Sequence, residues 1–342
     1  MEFYKKNKKD IQKFLYIEYD LLSYCNFKCS YCFANKFYKQ LDDWGKEEEE
    51  NKTKTIVNCI ALSKLPVHMM ILGGEPSQHS KFIELMHYIL TRINRPNDKI
   101  TLVTNGTFKM KDIDEILHYD NLEIIISVHF EHAATYGYNI QYSTIMKKIK
   151  KIIDSGTVLI LNIMIPDGDK NRTEIISFLN IIKQYNNYKN LIIRPEHILS
   201  ADKPLIDSYN TWDNKDFYNN IFKENKLFND NNYFIMEKDK KTTEINEFEL
   251  YQYLNFNGSV CDYFAYRVDF RGVVRDYCKE DKYKIFNILE DKFFFRKLEI
   301  ERKTICTMTC CQCLYLQENK KKVIDEEKYF ENNRFNKLQC TE

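Results

Sequence analysis

Six short apolar runs, at Phe14–Leu22, Val67–Leu72, Ile100–Thr104, Leu122–Phe130, Val158–Ile165 and Leu191–Arg194, alternate along the first two hundred residues with stretches of a different rhythm. In those stretches, Thr55–Ser63, Lys81–Ile93, Lys111–Leu117, Tyr142–Asp154 and Asn171–Tyr185, apolar residues recur every three or four positions, as in Phe82, Leu85, Met86 and Ile89. Runs of the first kind read as strands, and the second spacing reads as helices that lay one face on a core. Strands and helices taken in turn are the pattern of a parallel sheet with crossover helices, an α/β architecture.

At 342 residues the chain has room for one large α/β domain and a smaller appendage. Its 51 Lys+Arg against 50 Asp+Glu give no overall pull toward nucleic acid or an anionic membrane, and no nucleic-acid partner is expected. Met1–Asp10 carries four lysines and no apolar core, so it is not a secretory signal. No run approaches the roughly 18 apolar residues of a membrane span. The expectation is a cytoplasmic protein without a membrane partner.

Eleven cysteines are distributed unevenly, with three near the start and seven after residue 260. Clustered cysteines in a reducing compartment bind metal more often than they form disulfides. Cys59, among Ile56, Val57, Ile60 and Leu62, reads instead as a small buried hydrophobe. The first cluster is Cys25-Asn26-Phe27-Lys28-Cys29-Ser30-Tyr31-Cys32, directly after the first apolar run. Thiolates are the usual ligands of iron–sulfur clusters. Three within eight residues can hold three irons of a cubane and leave the fourth open to a small molecule. A zinc knuckle missing its fourth ligand, or three incidental cysteines in a reduced cytosolic protein, are the other readings of the triplet.

This spacing, with aromatic Tyr31 before the last cysteine, resembles the radical S-adenosylmethionine (radical SAM) family. The resemblance implies a partial (βα)6 TIM-like barrel over residues 1–200, with its active site at the C-terminal ends of the strands, as in full barrels. It also implies a [4Fe–4S] cluster on Cys25, Cys29 and Cys32 that presents SAM at its open iron. Gly73-Gly74-Glu75-Pro76 follows the second run and matches the family's GGE-P segment, which binds the amino group of the methionine moiety. Glycines without Cβ let backbone approach a ligand closely, and the Glu75 carboxylate could hold an ammonium. Asn105 after the third run, with Ser127, Asn162 and Arg194 on later strands, are the polar residues the resemblance assigns to SAM.

Many family members carry Ser-x-Asp on the fourth strand, whereas this chain reads Ser127-Val128-His129-Phe130-Glu131-His132. Period-two alternation would point Ser127, His129 and Glu131 the same way. His129 and Glu131 are therefore the candidate catalytic pair for orienting a substrate or moving a proton.

Residues 201–257 turn polar and read as a bridging helical segment, in which Tyr209, Trp212, Phe217, Tyr218 and Phe222 would line a peptide groove or face a core. Glu47–Glu50 and Glu237–Lys241 read as solvated faces. Beyond the bridge, Cys261 and Cys278 bracket Tyr266–Asp276, a hairpin with Arg271-Gly272 at its turn, and Cys306, Cys310, Cys311 and Cys313 follow. Residues 258–316 resemble a twitch module, the shortened SPASM domain, a small α+β cysteine-rich unit holding one auxiliary [4Fe–4S] cluster. By that likeness the ligands are Cys261, Cys278, Cys310 and Cys313, with Cys306 as an alternative; Cys311 and Cys340 are left over. Thiolate zinc is the competing assignment. Residues 317–342 read as a tail.

The implied function is reductive cleavage of SAM to a 5′-deoxyadenosyl radical that abstracts a substrate hydrogen, with flavodoxin or ferredoxin as reductant. Twitch and SPASM enzymes mostly modify ribosomally made peptides, so a peptide is the first expectation. Because the first strand already begins at Phe14, a leader-binding partner would be a separate protein. The alternatives are dehydrogenation of a small molecule such as an aminocyclitol, sugar or nucleotide, and a non-catalytic iron- or zinc-binding protein.

Overall fold

The computed structural model describes residues 2–5, 14–29, 32, 47–131, 143–165, 171–185, 188–197, 233–238, 241–246, 260–261, 264–276, 284–298, 304–305 and 322–323. Nine strands make the main sheet: β1 Leu15–Leu22, β2 Val67–Gly73, β3 Lys99–Thr104, β4 Leu122–Val128, β5 Val158–Ile165, β6 Leu191–His197, β7 Phe264–Val268, β8 Val273–Asp276 and β9 Lys284–Asn287. Their order across the sheet is β9-β8-β7-β1-β2-β3-β4-β5-β6. β1 to β6 pair in parallel in chain order, as the alternation predicted.

Among the described residues five helices fall between these strands: α1 Glu47–Ala61, α2 Phe82–Arg92, α3 Met110–Asp114, α4 Ser143–Asp154 and α5 Arg172–Ile182. α1 starts eight residues before the expected Thr55. The run Glu47–Glu50 is its first turn.

The sheet is built with two unlike faces. Ile17, Tyr19 and Leu21 of β1, Met69 and Ile71 of β2, Ile124 and Ile126 of β4, and Leu161 and Ile163 of β5 are buried with Ile60, Leu85, Ile149 and Phe178 from the helices in one core. Cys59 lies in that core, 3% exposed, as its neighbours suggested. The alternate positions, on the face turned from the helices, include Asp20, Ser127, Asn162, Arg194 and Arg267. There Arg267 grips the buried Asp20 carboxylate through Nε at 3.0 Å and a second nitrogen at 3.3 Å. Near the start of the strands Phe14 and Tyr16 cluster with Ala265 instead.

The hairpin expected around Arg271-Gly272 is present. Gly272 takes φ +82°, and the Asp269 carboxylate closes the turn by accepting from the backbone N–H groups of Arg271 and Val273. The hairpin is docked on the main sheet. β7 pairs in parallel with β1, from Phe264 opposite Leu15 to Val268 opposite Tyr19, and so lengthens the barrel sheet. The reason is apolar: Tyr266 and Val268 continue the helix-side core, joined by Phe295 of α6, Phe294–Lys297.

A separate antiparallel sheet joins, in order, residues 322–323, 2–5, 233–238 and 241–246. The expected helical bridge over 201–257 is therefore strand at Tyr233–Lys238 and Lys241–Asn246, and its other residues lie outside the described set. Alternating Tyr233, Ile235 with Phe234, Met236 suits a paired strand. Cys261 sits in a two-residue strand paired with residues 304–305. Tyr31, Cys278, Cys306, Cys310, Cys311 and Cys313 lie outside the described residues. Among the described residues no helix is long and apolar enough to cross a membrane.

Candidate functional site

The C-terminal rim of β1 and β2 is closed by main-chain bonds. Gly74 N–H donates to the Leu22 carbonyl at 2.7 Å and Glu75 N–H to the Tyr24 carbonyl at 2.8 Å, which carries strand-like pairing up to the residue before Cys25. A Cβ on Gly73 would lie 2.2 Å from the Leu22 oxygen, and one on Gly74 1.9 Å from the Tyr24 oxygen. Gly73 also takes φ +128°. The close approach that requires these glycines is thus to the backbone leading into the cysteine loop. The ligand-approach reading of the pair is corrected to that extent.

Glu75 is 1% exposed. Its Oε1 accepts from Ser77 Oγ and Thr104 Oγ1, both at 2.6 Å, and from Ser77 N at 3.2 Å; Oε2 accepts from Asn105 N at 2.6 Å. Burial pushes its pKa up, and these donors work against that rise. A carboxylate has about four acceptor sites; three donors meet Oε1 and one meets Oε2, which keeps an acceptor site. The side chain ties the β2 loop, where Pro76 opens a short turn, to the end of β3. The adjoining loop is held from α4: Lys148 Nζ donates to the Gly106 carbonyl at 2.6 Å and lies 4.7 Å from the Phe108 ring centroid.

The cysteine loop sits on this base. Cys25 Sγ accepts from Phe27 N at 3.3 Å and from Asn105 Nδ2 at 3.7 Å. Asn105 Nδ2 also donates to Asn26 Oδ1 at 3.0 Å, and Asn26 Nδ2 donates to Thr107 Oγ1 at 3.0 Å. Cys32 N–H closes a turn on the Cys29 carbonyl at 3.1 Å. The three thiols affect one another's charge: burial raises the Cys25 and Cys29 pKa values, and the neighbouring thiols raise them further. Ionising them together calls for positive charge at the loop, which iron supplies.

The fourth strand departs from expectation. β4 ends at Val128, and Phe130 and Glu131 turn into a short 3-10 segment. The period-two argument aligning Ser127, His129 and Glu131 therefore fails past the strand's end. The structure instead brings His129 and Glu131 to the cysteine loop. His129 Nδ1 is 3.8 Å from Cys29 Sγ and its ring stands edge-on to Phe27, while Glu131 is the strongest charge acting on Cys29.

Ser127, Asn162 and Arg194 do come together. They are register partners across β4, β5 and β6, so they form one row on one face, and Arg194 Nε donates to Asn162 Oδ1 at 3.0 Å. Several residues of the site, Ser77 among them, were not singled out from the sequence. Asn26 and Thr107 left no signal beyond their polar neighbours. Lys148 did leave one: it interrupts the apolar stripe of Ile145, Ile149 and Ile152, where a lysine must find a buried partner.

Residues 19–179, from within β1 to near the end of α5, match the model of the Radical SAM superfamily. They form a radical SAM domain. Among curated proteins, GTP 3′,8-cyclase of Vibrio atlanticus is 28% identical over 182 residues, covering 50% of this chain and 52% of the relative. The same enzyme of Vibrio cholerae is 31% identical over 108 residues, 30% of each chain. The chain thus spans about half the length of the curated relatives it matches first. Among solved structures, Streptococcus suis SuiB superposes with a TM-score of 0.51 at 13% identity, covering 83% of this chain and 66% of SuiB. The AdoMet-bound anSMEcpe does so at 0.50 and 16% identity, covering 94% and 96%. At these identities the likeness is one of fold.

A radical SAM domain implies a [4Fe–4S] cluster and SAM. Among the described residues no three His, Cys, Asp or Glu side chains converge to hold a metal ion. A cubane asks for something different, one thiolate at each of three irons. Three cysteines on one loop and two N–H groups directed at Cys25 Sγ fit that requirement in donor chemistry.

Proposed function

We propose that this chain is a radical SAM enzyme that cleaves SAM reductively and uses the resulting radical to abstract a hydrogen from a substrate, a peptide in the first instance. The observation that carries the reading is the cysteine loop, bonded through its own backbone to Gly74 and Glu75 at the C-terminal rim of a parallel sheet. When bound, a [4Fe–4S] cluster reduced by a flavodoxin or ferredoxin supplies the electron that breaks the C5′–S bond of SAM, giving methionine and a 5′-deoxyadenosyl radical.

The protein's part is to hold and orient. Cys25, Cys29 and Cys32 ligate the cluster, with Tyr31 beside the last. The Gly73–Pro76 segment accepts the methionine ammonium, with the Glu75 carboxylate among its acceptors. The Ser127, Asn162 and Arg194 row offers a hydroxyl, an amide and a guanidinium, and Arg194 can pair the SAM carboxylate in the manner guanidinium groups favour. His129 and Glu131 act at the edge of the cluster loop and bear on the substrate only from there. Cys261, Cys278, Cys310 and Cys313 would hold an auxiliary [4Fe–4S] cluster in residues 258–316, which would accept an electron from the substrate or ligate it. The setting is cytoplasmic.

A second substrate reading has its own support: the curated relatives are named as cyclases of a nucleotide, GTP. SuiB, which shares the fold, has been solved with its precursor peptide. Fold does not select between these. The test is anaerobic reconstitution with iron and sulfide, reduction by dithionite, and chromatography for 5′-deoxyadenosine after adding SAM. Its formation is expected; its absence from a fully loaded sample would favour a non-catalytic metal protein. Separate addition of synthetic peptides and of GTP then shows which substrate is consumed.

A further inference from the structure

Asn105 occupies a position that its assignment to SAM does not explain. It is 6% exposed, and its backbone N–H is spent on Glu75 at 2.6 Å. Its side-chain oxygen accepts from Thr107 N at 3.0 Å and Thr107 Oγ1 at 2.6 Å, which fixes the amide so that Nδ2 faces the cysteine loop. Nδ2 then reaches both Asn26 Oδ1 at 3.0 Å and Cys25 Sγ at 3.7 Å. One side chain thus joins the end of β3, the Glu75 lock and the first thiol.

We infer that Asn105 is a positioning residue for the cluster, holding the cysteine loop through Asn26 and donating a hydrogen bond to the Cys25 sulfur that raises the cluster's reduction potential. The inference rests on the proposed cluster and deepens it. A donor to a ligand sulfur stabilises the more negative, reduced state, so its removal makes the cluster harder to reduce. Asn26 contributes differently. It bridges Asn105 and Thr107, so it bears on how firmly the loop is held more than on the charge at sulfur.

Asn105→Leu keeps the volume and the backbone N–H to Glu75 while deleting the donor, and Asn26→Ala deletes the bridge alone. Reconstituted wild type and both variants are compared by iron content, by midpoint potential from an electron paramagnetic resonance titration, and by the rate of iron loss to a chelator. To keep the second cluster from obscuring the signal, the titration is also run on Cys29→Ala and its spectrum subtracted. Asn105→Leu should shift the midpoint of the first cluster to more negative potential. Asn26→Ala should leave the midpoint near wild type and speed iron loss about 10-fold, at the low end of what outer-shell changes do to metal sites. Asn105→Gln, which restores a donor, should recover part of the shift. An Asn105→Leu protein that loads iron and titrates at the wild-type potential overturns the inference and leaves the cluster standing; wild type that binds no iron at the first site overturns both. If Asn105→Leu does not load, an unshifted midpoint in Asn105→Asp, which keeps the acceptor and lacks the donor, overturns it as well.

Discussion

The two halves of the sheet's C-terminal rim are made in different ways. At β1 to β3 the contacts are main chain to main chain or end on a buried carboxylate: Gly74 to Leu22, Glu75 to Tyr24, and four donors on Glu75. At β4 to β6 the rim is a row of side chains, Ser127, Asn162 and Arg194, aligned by strand register and linked by the 3.0 Å bond from Arg194 to Asn162. A main-chain lock fixes position and tolerates little substitution. A row of side chains can change its chemistry without disturbing the sheet. The first half is suited to holding a cofactor loop in one place, and the second to meeting a ligand.

The contrast can be broken most severely at the loop itself. Cys29→Ala should abolish 5′-deoxyadenosine formation, with iron retained at the late cysteines, as checked by iron analysis and chromatography. Next comes the base of the loop. Gly74→Ala places a methyl on the Tyr24 carbonyl and should cost about 3 kcal/mol in denaturant unfolding, together with loss of iron loading. Glu75→Gln turns an acceptor oxygen into a donor facing Thr104, Ser77 or Asn105, and should cost about 2 kcal/mol.

A smaller effect belongs to the far end of β2, where burial, with Lys99 nearby, holds His68 down at about 4, stacked on Phe14. A histidine with a depressed folded-state pKa stabilises the protein fully above its ordinary value near 6.5, and that contribution fades as pH falls toward 4. Between about pH 7 and pH 5 it should amount to roughly 1–2 kcal/mol of unfolding free energy, missing from the slope of His68→Gln. Smallest in stability is Arg194→Ala, at about 1 kcal/mol or less. Its weakening of SAM binding should be much larger than that, and equal losses in both measurements would mean the row only supports the sheet.

The six parallel strands and the location of the cysteine loop were legible because parallel strands and crossover helices write distinct periods into the sequence. The alignment of Ser127, Asn162 and Arg194 was not, since it depends on register between strands, with Asn162 and Arg194 lying mid-strand. What the sequence hid was where side chains at strand ends turn. The Glu75 carboxylate faces inward because Thr104 and Asn105 lie on the next strand, a neighbour that local spacing does not reveal. His129 joins the cysteine loop because β4 stops one residue before it. The hairpin was legible because its turn is local, while its docking on β1 spans some 250 residues, as the Arg267–Asp20 pair shows with a separation of 247.

That docking also bears on how the chain is made. The strand that leads into Cys25 has β2 on one side within about 50 residues of synthesis, but its other side is covered only when Phe264–Val268 arrives. Until then an apolar strand offers an open flank to any passing chain. Translation must therefore run well past residue 260 before the segment that carries the first thiols has both its neighbours, and metal insertion into a nascent chain would meet a half-finished cradle.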